Sequence, residues 1–297
     1  MLSALIDHRL SRYAASRAAH ATPGGLPTRD VTTPVGVVRV YDSASDQPCV
    51  VLVPDGPNVI EHLEPVIALL SPTLRVVCFD MPGFGRSLPA AHYAHSLDQG
   101  AHAVLGVLDA LGIEKATLAF SCANGFYALR AAQIAPQRIR NLVLSQTPSL
   151  AAMHAWTQRI IPWPLRIPVL GQLIAWLFRR KSAHGWYLTA LPRTTDATPF
   201  QAKARTALAN GGCFCLAGVV QGLGREAQTA LNGATTPMTM IWGAKDHSHK
   251  YTDHQSILTS APSADIVHFD DCGHFPDIEQ PERFAALLTD RVSRYLS

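Results

Sequence analysis

The amino-acid sequence predicts an α/β fold: a doubly wound, mostly parallel sheet carrying an inserted helical cap. Three observations predict it. Short β-branched runs alternate with helical segments at both ends of the chain. The interval from Thr147 to Gly233 breaks that alternation with helical segments alone. Hydrophobic residues make up 47% of the 297 and charged residues 16%, enough apolar material for one large domain or a core with a sizeable insertion.

The segment from Met1 to His20 is amphipathic, with Arg9, Arg12 and Arg17 against Asp7, and reads as a leading helix packed on the surface of the domain. It lacks the apolar core of a secretory signal. Val35 to Tyr41 and Cys49 to Val53 read as strands bounded by Pro, Gly and Asp. Arg75 to Asp80 is a continuous apolar run of the kind that fits a strand buried on both faces. A helical period over Ala101 to Leu111 precedes a strand at Ala116 to Phe120, and a helix from Gly125 to Ile134 stops before Pro136. Asn141 to Ser145, Met238 to Trp242 and Asp265 to Phe269 complete the strands, and Pro281 to Tyr295 is a terminal helix. The core is therefore expected at 1–146 and 234–297, with the cap at 147–233. The cap interval holds Trp156, Trp163, Trp176 and Trp186 and is punctuated by Pro162, Pro164, Pro168 and Pro192. Ligands of open α/β sheets bind at the carboxyl ends of the strands, so a segment inserted there reads as a lid.

A net charge of +3 without a dense Lys/Arg stripe argues against a nucleic-acid partner. No uninterrupted apolar run reaches the roughly 18 residues of a membrane span. Six cysteines show no paired metal-ligand spacing. Cys49 and Cys78 read as buried strand residues, and Cys213-Phe-Cys215 is not followed by a matching pair, so no metal or other cofactor is expected. This cysteine usage fits a reducing, cytoplasmic setting.

Four ordered segments carry a resemblance. RVVCFDMPGFGRS (75–87), TLAFSCANGFYALRAAQIAPQRI (117–139), MIWGAKD (240–246) and DCGHFPDIEQPERF (271–284) resemble, in that order, parts of the α/β-hydrolase superfamily: an early Gly-rich turn, the nucleophile elbow with its helix, the catalytic-acid strand and the catalytic-His turn. The cap finds no such match. The resemblance implies a nucleophile at the elbow, Asp246 as the acid and His274 as the base.

Both Ser121 and Cys122 lie in the elbow. Small flanks, Ala119 and Ala123, favour Ser121, whereas Cys122 has Phe120 and Asn124. Two registers favour Cys122: Gly125 lies three residues after it and Pro136 fourteen, as the family's glycine and proline do. Asn124 is tolerable because Asn adopts unusual backbone angles readily. Cys122 is taken as the nucleophile, giving a Cys-His-Asp triad. A helix N-terminus and an adjacent imidazole would both favour its thiolate. Gln146-Thr147-Pro148 offers no competing carboxylate, and the loop bearing His247, His249 and His254 reads as polar surface.

The oxyanion hole departs from the family. The segment is Pro54-Asp55-Gly56-Pro57-Asn58, and with Gly56 as the family's glycine the next residue, Pro57, has no N–H to donate. The expected donors are therefore the Ala123 amide and Asn58. Pro57, Phe120, Ser121, Trp156, Trp163 and Trp186 are expected around the substrate.

Family members with Cys at the elbow include dienelactone hydrolases, polyester synthases and thioester-releasing cyclases. The resemblance thus implies attack on an ester or thioester carbonyl, with release of the acyl group to water, an internal nucleophile or another acceptor. The expected partner is a hydrophobic acyl substrate, free or carried as a thioester. Two alternatives stay open: a non-acyl lyase or cyclase working through His274, and a ligand-binding protein on a hydrolase scaffold.

Overall fold

The computed structural model describes residues 1–18 and 25–295. Helix α1 (Leu2–Ser16) opens the chain and ends short of the expected His20: Arg17 caps it and residue 18 is not helical, while 19–20 lie outside the described residues. Strands β1 (Thr28–Thr33), β2 (Gly36–Asp42) and β3 (Cys49–Val53) follow, then α2 (Glu64–Leu70) and β4 (Arg75–Phe79). Two-residue strands β5 (Phe84–Gly85) and β6 (Leu88–Pro89) lead to α3 (Leu97–Ala110), β7 (Ala116–Ser121), α4 (Ala123–Ile134) and β8 (Ile139–Ser145). Helices α5 (Leu150–Ile160), α6 (Leu170–Ala190) and α7 (Thr198–Ala209), strand β9 (Cys213–Phe214) and α8 (Leu216–Leu223) come next. The chain ends with β10 (Met238–Gly243), α9 (Ile257–Ser260), β11 (Asp265–Phe269), α10 (Pro276–Glu279) and α11 (Pro281–Arg294).

The main sheet has the order β1-β2-β4-β3-β7-β8-β10-β11, with β6 also paired to β2. Every pair from β4 to β11 is parallel, while β1, β2 and β6 join antiparallel at one end. The central strands β3 and β7 are buried along their whole length, because helices cover both faces. One core layer packs α3 and α4 residues such as Val104, Val107 and Leu129 on the sheet, and the other packs α2 and α11 residues such as Val66, Leu70 and Leu288.

Parallel pairing aims the ends of β3, β7, β10 and β11 the same way, so the loops after them converge at one edge. Helices α5, α6 and α8 stand over that edge and supply most of the lining of a cavity of about 920 Å³. Their interval is not wholly helical, since β9 pairs antiparallel with β5. No helix among the described residues is long and apolar enough to cross a membrane.

Candidate active site

Strand β7 runs into α4 with no intervening loop, and the residue at the turn is Cys122, at φ 51° and ψ −123°. A side chain held at positive φ is strained, a state kept only where the surroundings enforce it. Here the Cys122 N–H donates to the Ser145 carbonyl at 2.7 Å, and the Thr147 hydroxyl donates to the Cys122 carbonyl at 3.0 Å. Gly125 is required by the same packing, because a Cβ there would overlap the Thr147 side chain. Gly125→Ala is expected to cost about 1–3 kcal/mol of stability, the usual range for overpacking, read as a lowered midpoint of thermal unfolding.

Ser121, one residue earlier on the strand, faces the other side of the sheet, where its hydroxyl donates to Asp277 Oδ2 at 3.3 Å. It does not reach the cavity. Phe120 is fully buried against Phe79 and also lies outside the cavity lining. Of the expected substrate contacts, Trp156 and Trp186 line the cavity. Pro57 sits instead at a separate small crevice, and Trp163 is 65% exposed and points away. Sequence adjacency to the elbow or to the cap did not translate into a shared face.

His274 follows β11 and is fully buried. Its Nδ1 lies 2.6 Å from Asp246 Oδ2. The loop is pinned by Glu279, whose carboxylate accepts from the Gly273 and Phe275 N–H groups at 2.8 and 2.9 Å, and by the His274 N–H to the Ala190 carbonyl at 2.9 Å. Asp246, in the turn after β10, accepts at Oδ1 from the Ser248 N–H and hydroxyl and at Oδ2 from Gln146 Nε2. Burial alone would raise the Asp246 pKa, but the charge and hydrogen bond of His274 outweigh it and hold the carboxyl far below its ordinary range. Burial would lower the His274 pKa, yet the carboxylate of Asp246 and the neighbouring Cys122 and Asp55 push it well up.

Asp55, just beyond β3, was not among the residues expected from sequence. It is buried in the cavity lining and its Oδ2 lies 3.3 Å from His274 Nε2, so both ring nitrogens face a carboxylate. Burial raises its pKa above the usual carboxylate value. Asp55 also changes the state of the thiol. The helix N-terminus and the imidazole were expected to favour a thiolate, but burial first and the Asp55 charge second push the Cys122 pKa up.

Asn58 lies outside the cavity lining, at the small crevice beside Pro57. Its N–H donates to the Asp55 carbonyl at 2.9 Å, and its side-chain oxygen accepts from the Tyr187 hydroxyl at 2.7 Å. Ala123 and Gly56 both line the cavity with Cys122, and neither N–H donates to a carbonyl among the described residues. In the loop after β3 the residues that line the cavity are Asp55 and Gly56. Asn124 Nδ2 donates to the Pro54 carbonyl at 3.0 Å, tying the elbow to this loop.

His249 was expected on a polar surface loop but is buried. It stacks between Trp156 (centroids 4.8 Å apart) and His274 (5.3 Å), and burial lowers its pKa to about 3. Its Nε2 has no hydrogen-bond partner. Cys122, His249 and His274 offer ligand atoms within 4.8 Å of one another, so a thiophilic ion seated there would occupy the thiol and the imidazole together. Away from these groups the cavity is mostly apolar, lined by side chains such as Met153, Ile161, Leu165, Ile174 and Val219, with Arg166, Lys181 and Arg225 among its polar members.

A family model described as Alpha/beta hydrolase family matches residues 50–287. A zearalenone hydrolase of Bionectria ochroleuca is 33% identical over 129 residues, 42% of this chain, and the chain spans about half (48%) of that relative. A 2-hydroxy-6-oxononadienedioate/2-hydroxy-6-oxononatrienedioate hydrolase of Cupriavidus pinatubonensis is 25% identical over 244 residues, covering 78% of this chain and 80% of the relative. Among solved structures, Epoxide Hydrolase A of Mycobacterium thermoresistibile superposes with a TM-score of 0.74 at 17% identity, over 89% of this chain and 97% of that one.

Proposed function

This chain belongs to the alpha/beta hydrolase family and is a hydrolase, and from that premise we propose that it cleaves a bulky, apolar carbonyl substrate through a covalent acyl intermediate on Cys122. The observation that carries the reading is the strained Cys122 turn at the head of a large apolar cavity, with the His274–Asp246 pair beside it. The Cys122 sulfur attacks an ester or thioester carbonyl carbon while its proton passes to His274 Nε2. The Ala123 and Gly56 N–H groups stabilise the tetrahedral oxyanion. His274 then returns the proton to the leaving alkoxide or thiolate, which departs and leaves a thioester on Cys122. Water attacks that thioester with His274 again taking a proton, and the acid product and free thiol are regenerated. Residues 147–233 serve as the cap that sets which acyl group fits.

Asp55 controls the first step. With no substrate bound it holds His274 Nε2, and it must give up that contact for Nε2 to take the thiol proton. Its negative charge raises the thiol pKa, so removing the charge lowers it. Asp55→Asn should therefore shift the pH dependence of Cys122 carbamidomethylation to lower pH and speed the reaction several-fold at neutral pH. An unchanged profile would remove Asp55 from this role.

The same contact favours a second reading, in which His274 and Asp55 move protons on a substrate and Cys122 forms no bond. Intact mass after mixing with a chain-length series of activated esters and thioesters separates the two. An acyl adduct that disappears in Cys122→Ala supports the acyl-enzyme; turnover untouched by that substitution sinks it.

A further inference from the structure

A second cluster of ligand-type side chains lies behind the cavity wall, outside its lining. Asp7 of α1, His95 of the loop before α3 and Cys215 at the start of α8 come from three distant parts of the chain. Their ligand atoms all fall within 4.8 Å of one another. All three side chains are more than nine-tenths buried.

Two observations show that the surrounding protein leaves the cluster under-satisfied. His95 Nε2 is buried and has no hydrogen-bond partner, and a buried polar atom left unpaired is costly. The Asp7 carboxylate makes no ion pair among the described residues; Gln172 Nε2 donates to it at 3.3 Å. Burial without a counter-charge pushes Asp7 up to about 7 and His95 down to about 3.

Glycines let the backbone close on those atoms where a larger residue would clash with them. A Cβ on Gly218 would sit 2.6 Å from His95 Nε2 and 2.7 Å from Asp7 Oδ2, and one on Gly83 3.1 Å from Cys215 Sγ. His95 itself is held at φ 56°, an unusual backbone state for a side chain of that size. The Ser11 hydroxyl lies 3.5 Å from Cys215 Sγ, placed to donate to a bound thiolate.

We propose that Asp7, His95 and Cys215 bind a divalent cation of borderline softness, zinc in preference to calcium or magnesium. One carboxylate oxygen, one imidazole nitrogen and one thiolate match that choice. Tetrahedral zinc at about 2.0–2.3 Å from its ligands sets them about 3.5 Å apart, within the reach of a small side-chain adjustment. Binding displaces the Cys215 thiol proton and any proton on Asp7, with no redox change. The ion would staple the leading helix and the loop before α3 to α8, a wall of the cavity. It would act as a structural clip, independent of the reaction at Cys122.

The test uses the full chain, stripped with chelator and titrated with zinc or with cobalt(II) as the spectroscopic probe. The expected result is one retained zinc per chain, a sulfur-to-cobalt charge-transfer band, and a zinc-dependent rise in the thermal unfolding midpoint. These persist in Cys122→Ala and are lost in Cys215→Ser and in His95→Gln. No retained metal and no charge-transfer band in the wild-type chain overturns the proposal, whatever the variants do. Metal lost in Cys122→Ala but kept in Cys215→Ser or His95→Gln also overturns it, by assigning the ion to the cluster of Cys122, His249 and His274.

Discussion

Turnover of an activated ester by the Cys122→Ala protein is expected to fall by about 10⁴- to 10⁶-fold, with the unfolding midpoint near that of the wild type. Alanine removes the sulfur that bonds to the carbonyl carbon and leaves the machinery around it. The hydrogen bonds that enforce the turn run through the Cys122 backbone, so alanine inherits the same φ of 51° and the same contacts. Cys122→Ser is the informative companion. A hydroxyl needs a stronger base than a thiol, and the base nitrogen in question faces Asp55. Serine should therefore restore little activity, and pairing it with Asp55→Asn should restore more than either change predicts alone. Steady-state kinetics on the four proteins measures this. Wild-type rates from the alanine protein would leave proton transfer by His274 and Asp55 as the working chemistry.

Asp246→Asn is the second large effect, a loss of about 10⁴ in kcat with a small change in KM. Asp246 is not part of the cavity lining, so ground-state binding should survive its loss. Its Oδ1 accepts from the backbone and hydroxyl of Ser248, which asparagine can still satisfy. The oxygen facing His274 Nδ1 and Gln146 Nε2 cannot be replaced so easily, because an amide NH₂ would confront two donors. His274 would then adopt the other tautomer or turn, and its conjugate acid would lose its main charge partner. The basic group should titrate at lower pH in the asparagine protein, since the carboxylate that raises it has gone. Full activity and an unmoved pH profile would show that Asp246 has no part in the reaction.

The parts of the fold written as uniform local pattern were legible in sequence. Cys49–Val53 and Asp265–Phe269 are strands to the residue, since apolar β-branched runs bounded by breakers leave no other economical structure. Thr28–Thr33 was missed because it is an edge strand in which both Arg29 and Asp30 are exposed, so no apolar alternation marks its first half. Helix α4 begins at Ala123 instead of Gly125, since the strained turn passes directly into it.

In the site, register brought Cys122, His274 and Asp246 to attention, and they do converge. What failed were inferences from neighbourhood. Ser121 and Phe120 flank Cys122 in the chain but not in space, because strand side chains alternate in direction. Trp163 shares the composition of the cap but not its inner face. Asp55 was hidden by reading Gly56 as a motif position, although a carboxylate at the carboxyl end of a buried parallel strand is a signal in itself. The burial of His249 depends on Trp156, ninety residues upstream, and no local pattern records it.

The stack of Trp156, His249 and His274 joins a helix above the cavity to the imidazole beneath it, and Trp156 Nε1 donates to the Ser248 carbonyl within that assembly. On the proposed reaction, residues that select a substrate by shape are thus mechanically continuous with the one that times its protons. A substitution on α5 made to admit a larger molecule would also tilt the ring of His274 and retune its basicity. Drift in substrate range and drift in working pH would then be inherited together, and divergence at this cavity would follow a single axis in place of two independent ones.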